Sequence, residues 1–149
     1  TNSSRMVSGE LFGSIGDFFN FSRQAVGKQR QLGLFGNARP RSNLSIDLSG
    51  TLAQTRDQDD EVDGRFTVGS LRTTYLFTRD TFLRVFAQTE RQKLFVPTER
   101  TESNHLVSAL FGWEYSPKSH FFIAYNETNG DGRPDERVLL LKLSYLSNL

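Results

Sequence analysis

The sequence predicts an all-β fold of eight antiparallel strands connected up and down. Three observations carry the prediction. Apolar and polar residues alternate with a period of two over most of the chain, as strands require and helices do not. Thirteen Phe, four Tyr and one Trp accompany 12 Gly and only four Pro, a composition that suits a pleated sheet. Clusters of turn-forming residues separate the alternating segments.

In chain order, residues 6–18 and 28–38 are read as the first two strands, with Leu11 and Ile15, then Leu32 and Leu34, on their apolar faces. The alternation is clearest over 44–53: Leu44, Ile46, Leu48, Gly50 and Leu52 share one face, and Ser45, Asp47, Ser49, Thr51 and Ala53 the other. Segment 66–78 sets Leu71, Tyr75 and Phe77 against Ser70, Arg72, Thr74 and Thr78. Segment 82–90 sets Leu83, Val85, Ala87 and Thr89 against Phe82, Arg84, Phe86, Gln88 and Glu90. Over 105–115 the apolar side is Val107, Ala109, Phe111, Trp113 and Tyr115, opposite Leu106, Ser108, Leu110, Gly112 and Glu114. Segment 120–126 places Phe121, Ile123 and Tyr125 together, and 139–145 places Leu139, Leu141, Leu143 and Tyr145 opposite Leu140, Lys142 and Ser144.

Three connections read as short: Arg39-Pro40-Arg41, Thr78-Arg79-Asp80 and Ser116-Pro117-Lys118-Ser119. Four read as long and polar: 19–27, 54–64, 91–104 and 127–136. Short and long alternate, which puts all short turns at one end of the sheet. A transmembrane barrel of the bacterial outer membrane has that asymmetry, with short periplasmic turns, longer extracellular loops and periplasmic termini.

Composition narrows the function classes. Residues 1–149 are of a length for one domain. Lys+Arg 18 against Asp+Glu 17 gives a net charge of +1, which disfavours nucleic acid as a partner. Without cysteine there is no disulfide framework, thiolate metal site or thiol nucleophile. The longest apolar run is Phe121 to Tyr125, whereas a spanning helix needs roughly 20 residues. The opening Thr1-Asn2-Ser3-Ser4-Arg5 shows no signal peptide.

The apolar face of the segments from Leu44 onward carries no Lys, Arg, Asp or Glu, while Asp47, Arg72, Arg84, Glu90, Glu114 and Lys142 fall on the other face. A charge on the lipid side at the bilayer midplane costs roughly 2–4 kcal/mol for Arg or Lys, so lipid would enforce such sorting. The lipid-facing set is therefore Leu44, Ile46, Leu48, Leu71, Phe111, Ile123, Leu141 and Leu143. Tyr75, Phe77, Trp113, Tyr115, Phe121 and Tyr145 form an aromatic girdle near the short turns and the C-terminus. Asp47, Arg72, Arg84, Glu114 and Lys142 face the interior, where they line a lumen or pair across strands. Phe82, Phe86, Phe122, Leu106, Leu110 and Leu140 beside them favour a filled interior, because eight strands enclose only enough room for side chains. A soluble two-layer sandwich with an aromatic core is the alternative, though a core has no need to sort its aromatics to one end.

Four segments also resemble a known family: Leu71-Arg72-Thr73-Thr74-Tyr75-Leu76-Phe77-Thr78, Leu110-Phe111-Gly112-Trp113-Glu114-Tyr115-Ser116-Pro117-Lys118-Ser119, Ile123-Ala124-Tyr125-Asn126-Glu127 and Leu139-Leu140-Leu141-Lys142-Leu143-Ser144-Tyr145-Leu146. In this order they look like the C-terminal barrel region of large bacterial outer-membrane proteins of unknown function. The N-terminal part of those proteins is similar to a family-nine carbohydrate-binding module. Gly16-Asp17-Phe18-Phe19 fits an earlier hairpin of the same region. The resemblance implies a barrel, or the C-terminal part of a larger one, whose partners are outer-membrane lipid, the missing N-terminal part or other envelope proteins. It supplies no catalytic residues.

Other candidates are weaker. Asp57, Asp59, Asp60, Glu61 and Asp63, and Asn129-Gly130-Asp131-Gly132, offer oxygen ligands near glycine but lack the full calcium-loop pattern. They read as hydrophilic turns, so no metal or cofactor is expected. Asn104, His105 and Ser108 suggest a hydrolase only until parity sends His105 and Ser108 to opposite faces. No enzyme is expected. The function expected is structural, anchoring or pore-forming in the outer membrane, with a solute channel or a soluble binding module as alternatives.

Overall fold

The computed structural model describes residues 6–20, 25–95 and 98–146. Its eight strands are β1 (Val7–Asn20), β2 (Ala25–Arg41), β3 (Leu44–Arg56), β4 (Val62–Leu76), β5 (Thr81–Leu94), β6 (Arg100–Ser116), β7 (Ser119–Gly130) and β8 (Arg133–Ser144). They form one sheet in sequence order, and every neighbouring pair is antiparallel.

The register assembles the two faces read from the alternation. Leu48 lies opposite Leu71, Leu71 opposite Ala87 and Ala87 opposite Val107. A second row runs Leu44, Tyr75, Leu83, Phe111, Ile123, Leu141. Between β1 and β2 Leu11 meets Leu34, and between β2 and β3 Leu34 meets Gly50. A slip of one residue in any ladder would exchange these faces, so the apolar pattern fixes the pairing.

Strand ends and turns differ from the sequence reading. The connections read as long are mostly strand. β3 and β4 are separated by 57–61 alone, β5 and β6 by 95–99, and β7 and β8 by Asp131 and Gly132. Residues 21–24 of the first connection lie outside the described residues, as does the segment inspected for a signal peptide. Hairpin arms that leave the apolar band carry polar residues on both faces, so alternation disappears while the ladder continues. The marked short/long asymmetry of connections is therefore not present. Arg39-Pro40-Arg41 is the end of β2, not a turn. The register shifts between Ala38 and Arg41, where a proline without an N–H costs no ladder bond, and the chain reverses at Ser42 and Asn43.

We call the end with connections 42–43, 77–80 and 117–118 proximal; β1 begins and β8 finishes there. The opposite end is distal. The proximal turns have local causes. Asn43 Nδ2 donates to the Leu76 carbonyl at 3.1 Å. Lys118 follows Pro117 with φ 64°, the backbone of a turn with proline first and a left-handed second residue.

No apolar side chain is buried among the described residues, and no strand's backbone packs against any but its sequence neighbours. Among the described residues no second layer covers either face of the sheet. The accessible surface is 11235 Å², against about 7,700 Å² for a compact soluble chain of this mass. The outer edges of β1 and β8 pair with nothing among the described residues. The sheet is open where a closed barrel would join these two strands.

Candidate lipid interface and polar face

Of the large apolar side chains exposed within the paired strands, all but Phe12, Phe35, Leu76, Leu94 and Leu140 share the face of Leu48 and Leu71. The residues assigned to lipid share this face: Leu44, Ile46, Leu48, Leu71, Phe111, Ile123, Leu141 and Leu143. The aromatic group gathers at the proximal end. Tyr75 and Phe77 meet edge to face at 4.9 Å, and Trp113 and Tyr115 at 5.8 Å. Phe121 is the register partner of Trp113. The Tyr115 hydroxyl donates to the Ser144 carbonyl at 3.0 Å, tying β6 to β8 across β7. Phe77 lies in the β4–β5 turn and Tyr145 just beyond β8, both exposed.

The longer strands carry this face past its charge-free band. Toward the distal end it gains Lys28, Arg30, Arg56, Arg65, Arg91, Lys93 and Arg137, with Asp17, Asp63, Glu127 and Asp135. Arg137 pairs with Glu127 at 3.0 Å, and the same carboxylate accepts the Tyr125 hydroxyl at 2.8 Å. The sequence reading misses this basic belt because it puts Arg56, Arg91 and Lys93 in loops, leaves Arg65 and Arg137 outside the strand segments, and has Lys28 and Arg30 at the start of a strand with no partner yet assigned.

The opposite face holds the residues assigned to the interior. Asp47 stands opposite Arg72, yet its carboxylate accepts Nδ2 of Asn37. The Arg72 guanidinium instead lies 5.5 Å from the Phe86 ring centre, and that of Arg84 5.8 Å from Phe82. For Arg72 and Arg84, cross-strand ion pairing, one expectation for these charges, is replaced by cation–π contact. Ser49 and Ser70 hydroxyls bond at 2.8 Å. Asp47, Arg72 and Arg84 line a polar hollow of about 480 Å³ at the proximal end, with Arg39 at its rim. Glu114 accepts the Lys118 amide at 3.0 Å and stands 3.7 Å from His120 Nε2. Lys142 has no ion partner among the described residues.

Glycine shapes this face. A Cβ on Gly33 would meet the Phe12 ring at 2.1 Å, and one on Gly112 would meet Phe82 at 2.4 Å and Phe122 at 3.1 Å. The rings lie over bare backbone there, which is how small residues let aromatics fill a sheet face.

The acidic loops are tied to backbone. Asp57 Oδ1 accepts the amides of Asp59 and Glu61, each at 3.0 Å. Asp131 Oδ2 accepts the Ser103 amide at 2.9 Å, and the Asp131 amide returns a bond to the Ser103 carbonyl. Among the described residues no group of three His, Asp or Glu is placed to hold a metal ion. His105 faces the apolar side, its Nδ1 3.0 Å from Thr89 Oγ1, while Ser108 faces the other. Compared with models of protein families, with characterised proteins and with solved structures, the chain finds no match.

Proposed function

We propose that this chain is a membrane-embedded β-barrel wall of a bacterial outer membrane, with a structural or anchoring role. One observation carries the reading: a broad apolar face of eight paired strands, uncovered by any second layer among the described residues, with Tyr75, Trp113, Tyr115 and Phe121 at one end. Lipid gives that face an occupant, and head groups give the amphipathic rings a level. The ladder satisfies the interior backbone groups, so only the outer edges of β1 and β8 require closure, by each other or by further strands. The proximal end faces the periplasm in this reading, and the distal hairpin arms project outward. The resemblance to the C-terminal barrel region of large outer-membrane proteins supports the same assignment and extends it to anchoring a glycan-handling module.

The test is a gel of membrane-extracted protein run with and without boiling. A heat-dependent mobility shift is expected, whereas a protein that remains in the soluble fraction and shows no shift would overturn the reading.

A solute channel is the second reading, favoured by the polar hollow at Asp47, Arg72 and Arg84. The two guanidinium groups there have aromatic neighbours and no carboxylate pair among the described residues. In planar bilayers such a pore would prefer anions, and Arg72→Ala with Arg84→Ala would weaken that preference. Absence of conductance would remove this reading.

A further inference from the structure

We propose that the apolar face carries a binding site for a phosphorylated acyl lipid at its distal end, built across β1 to β4. This inference rests on the membrane-facing reading of the same face.

The ladder registers Ile15 with Arg30, Arg30 with Gln54, and Gln54 with Arg65. Arg30 and Arg65 therefore stand two strands apart, about 10 Å at the backbone, with the Gln54 amide between them. In the next row toward the proximal end, Gly13, Leu32 and Leu52 follow one another. A groove of about 890 Å³ lies on this patch, lined by Ile15, Arg30, Leu32, Leu52, Gln54 and Arg65, within the size range of about 300–1,000 Å³ that small ligands occupy. Gly13 carries no side chain, so the groove stays open beside Leu32.

The charges decide what fits. Several other cations at the distal end are committed within the protein, Arg56 to Asp60, Lys93 to Glu99 and Arg137 to Glu127; Lys28 and Arg91, also without an ion pair among the described residues, do not line the groove. Arg30 and Arg65 have neither an ion pair nor a side-chain hydrogen bond among the described residues. Two unpaired guanidinium groups, each planar and forked, match phosphate oxygens. An arginine lays its stem along apolar surface while its head reaches the head-group level, so both can serve one amphipathic ligand. Leu32 and Leu52, about half exposed at 49% and 51%, continue the site toward the membrane interior, where only an acyl chain suits them. A free phosphate would leave that apolar half empty, and an uncharged lipid would leave the guanidinium groups unmatched. The occupant is a phosphate-bearing lipid of the distal leaflet.

The test is native mass spectrometry of the full chain in detergent micelles, titrated with phosphatidic acid or with phosphatidylcholine of the same acyl chains. Phosphatidic acid binds preferentially to the wild type. The Arg30→Gln/Arg65→Gln variant loses about 30-fold in affinity, from the usual worth of two cations at a membrane surface. An Arg41→Gln/Arg79→Gln variant, with equal charge removed at the proximal end, keeps wild-type affinity. Inorganic phosphate does not displace the lipid. Equal binding of the two lipids, an unaffected double variant, or displacement by inorganic phosphate would overturn the proposal. A heat-dependent gel shift, measured on each variant, separates the two levels. A retained shift without lipid discrimination sinks the lipid site alone; a soluble wild type with no shift sinks the membrane reading and this site together.

Discussion

Replacing Ala109 by Arg places a charge where the account puts the middle of the bilayer. Ala109 shares its face with Val85 and Tyr125, its partners on β5 and β7. It lies four residues from Trp113 along β6, or about 14 Å at roughly 3.4 Å per residue. With a strand tilt of about 40°, that is about 10 Å along the membrane normal, close to half of an apolar band about 25 Å tall. The nearest carboxylate on this face, Glu127, is already held by Arg137 and Tyr125, so it offers the new charge little relief. Ala109→Arg should therefore cost about 2–4 kcal/mol. Ser108→Arg, one residue away, joins the polar face between Phe86 and Asn126 and should cost less than about 1 kcal/mol. Guanidinium unfolding of vesicle-reconstituted protein, followed by the emission of the single tryptophan, measures both. Equal costs, or a larger cost for Ser108→Arg, would refute the assignment of faces.

Gly112→Ala should destabilise by about 1–3 kcal/mol, because its Cβ would sit between the Phe82 and Phe122 rings. Gly36→Ala, with nothing within 4 Å, should stay within about 0.5 kcal/mol in the same unfolding assay. Lys118→Gly should stabilise by about 0.5–1 kcal/mol, since it relieves a left-handed backbone and keeps the amide that Glu114 accepts. Asp57→Ala should speed amide exchange at Asp59 and Glu61, which lose their shared acceptor, while the unfolding midpoint barely moves.

How much of this was legible in the sequence depends on where polarity alternates. In 44–53 one face is apolar and the other mostly polar, and the observed ladder runs unbroken through it, with Leu48 opposite Leu71 and Ser49 opposite Ser70. Beyond the band, Gln88, Glu90 and Gln92 on one face of β5 are matched by Thr89, Arg91 and Lys93 on the other. Both faces are polar there, so a strand looks like a loop until the ladder is drawn. The site at Arg30 and Arg65 was hidden for a different reason. These residues are far apart in sequence, and only two successive ladders bring them to either side of Gln54. That Asp47, Arg72, Arg84, Glu114 and Lys142 share one face was legible, but their partners were not. Nothing in the sequence says that Asp47 takes Asn37 and leaves Arg72 to the Phe86 ring.

The central claim, that the apolar face meets hydrocarbon, is tested most directly through Trp113, which is 47% exposed on that face at the proximal end. The wild-type chain, reconstituted in vesicles of brominated phospholipid, needs no labelling for this measurement. The account predicts strong quenching by bromines placed near the head groups, weaker quenching by bromines near the chain ends, and protection from water-soluble acrylamide. Acrylamide quenching with no effect of either brominated lipid would place the indole in water and contradict the account.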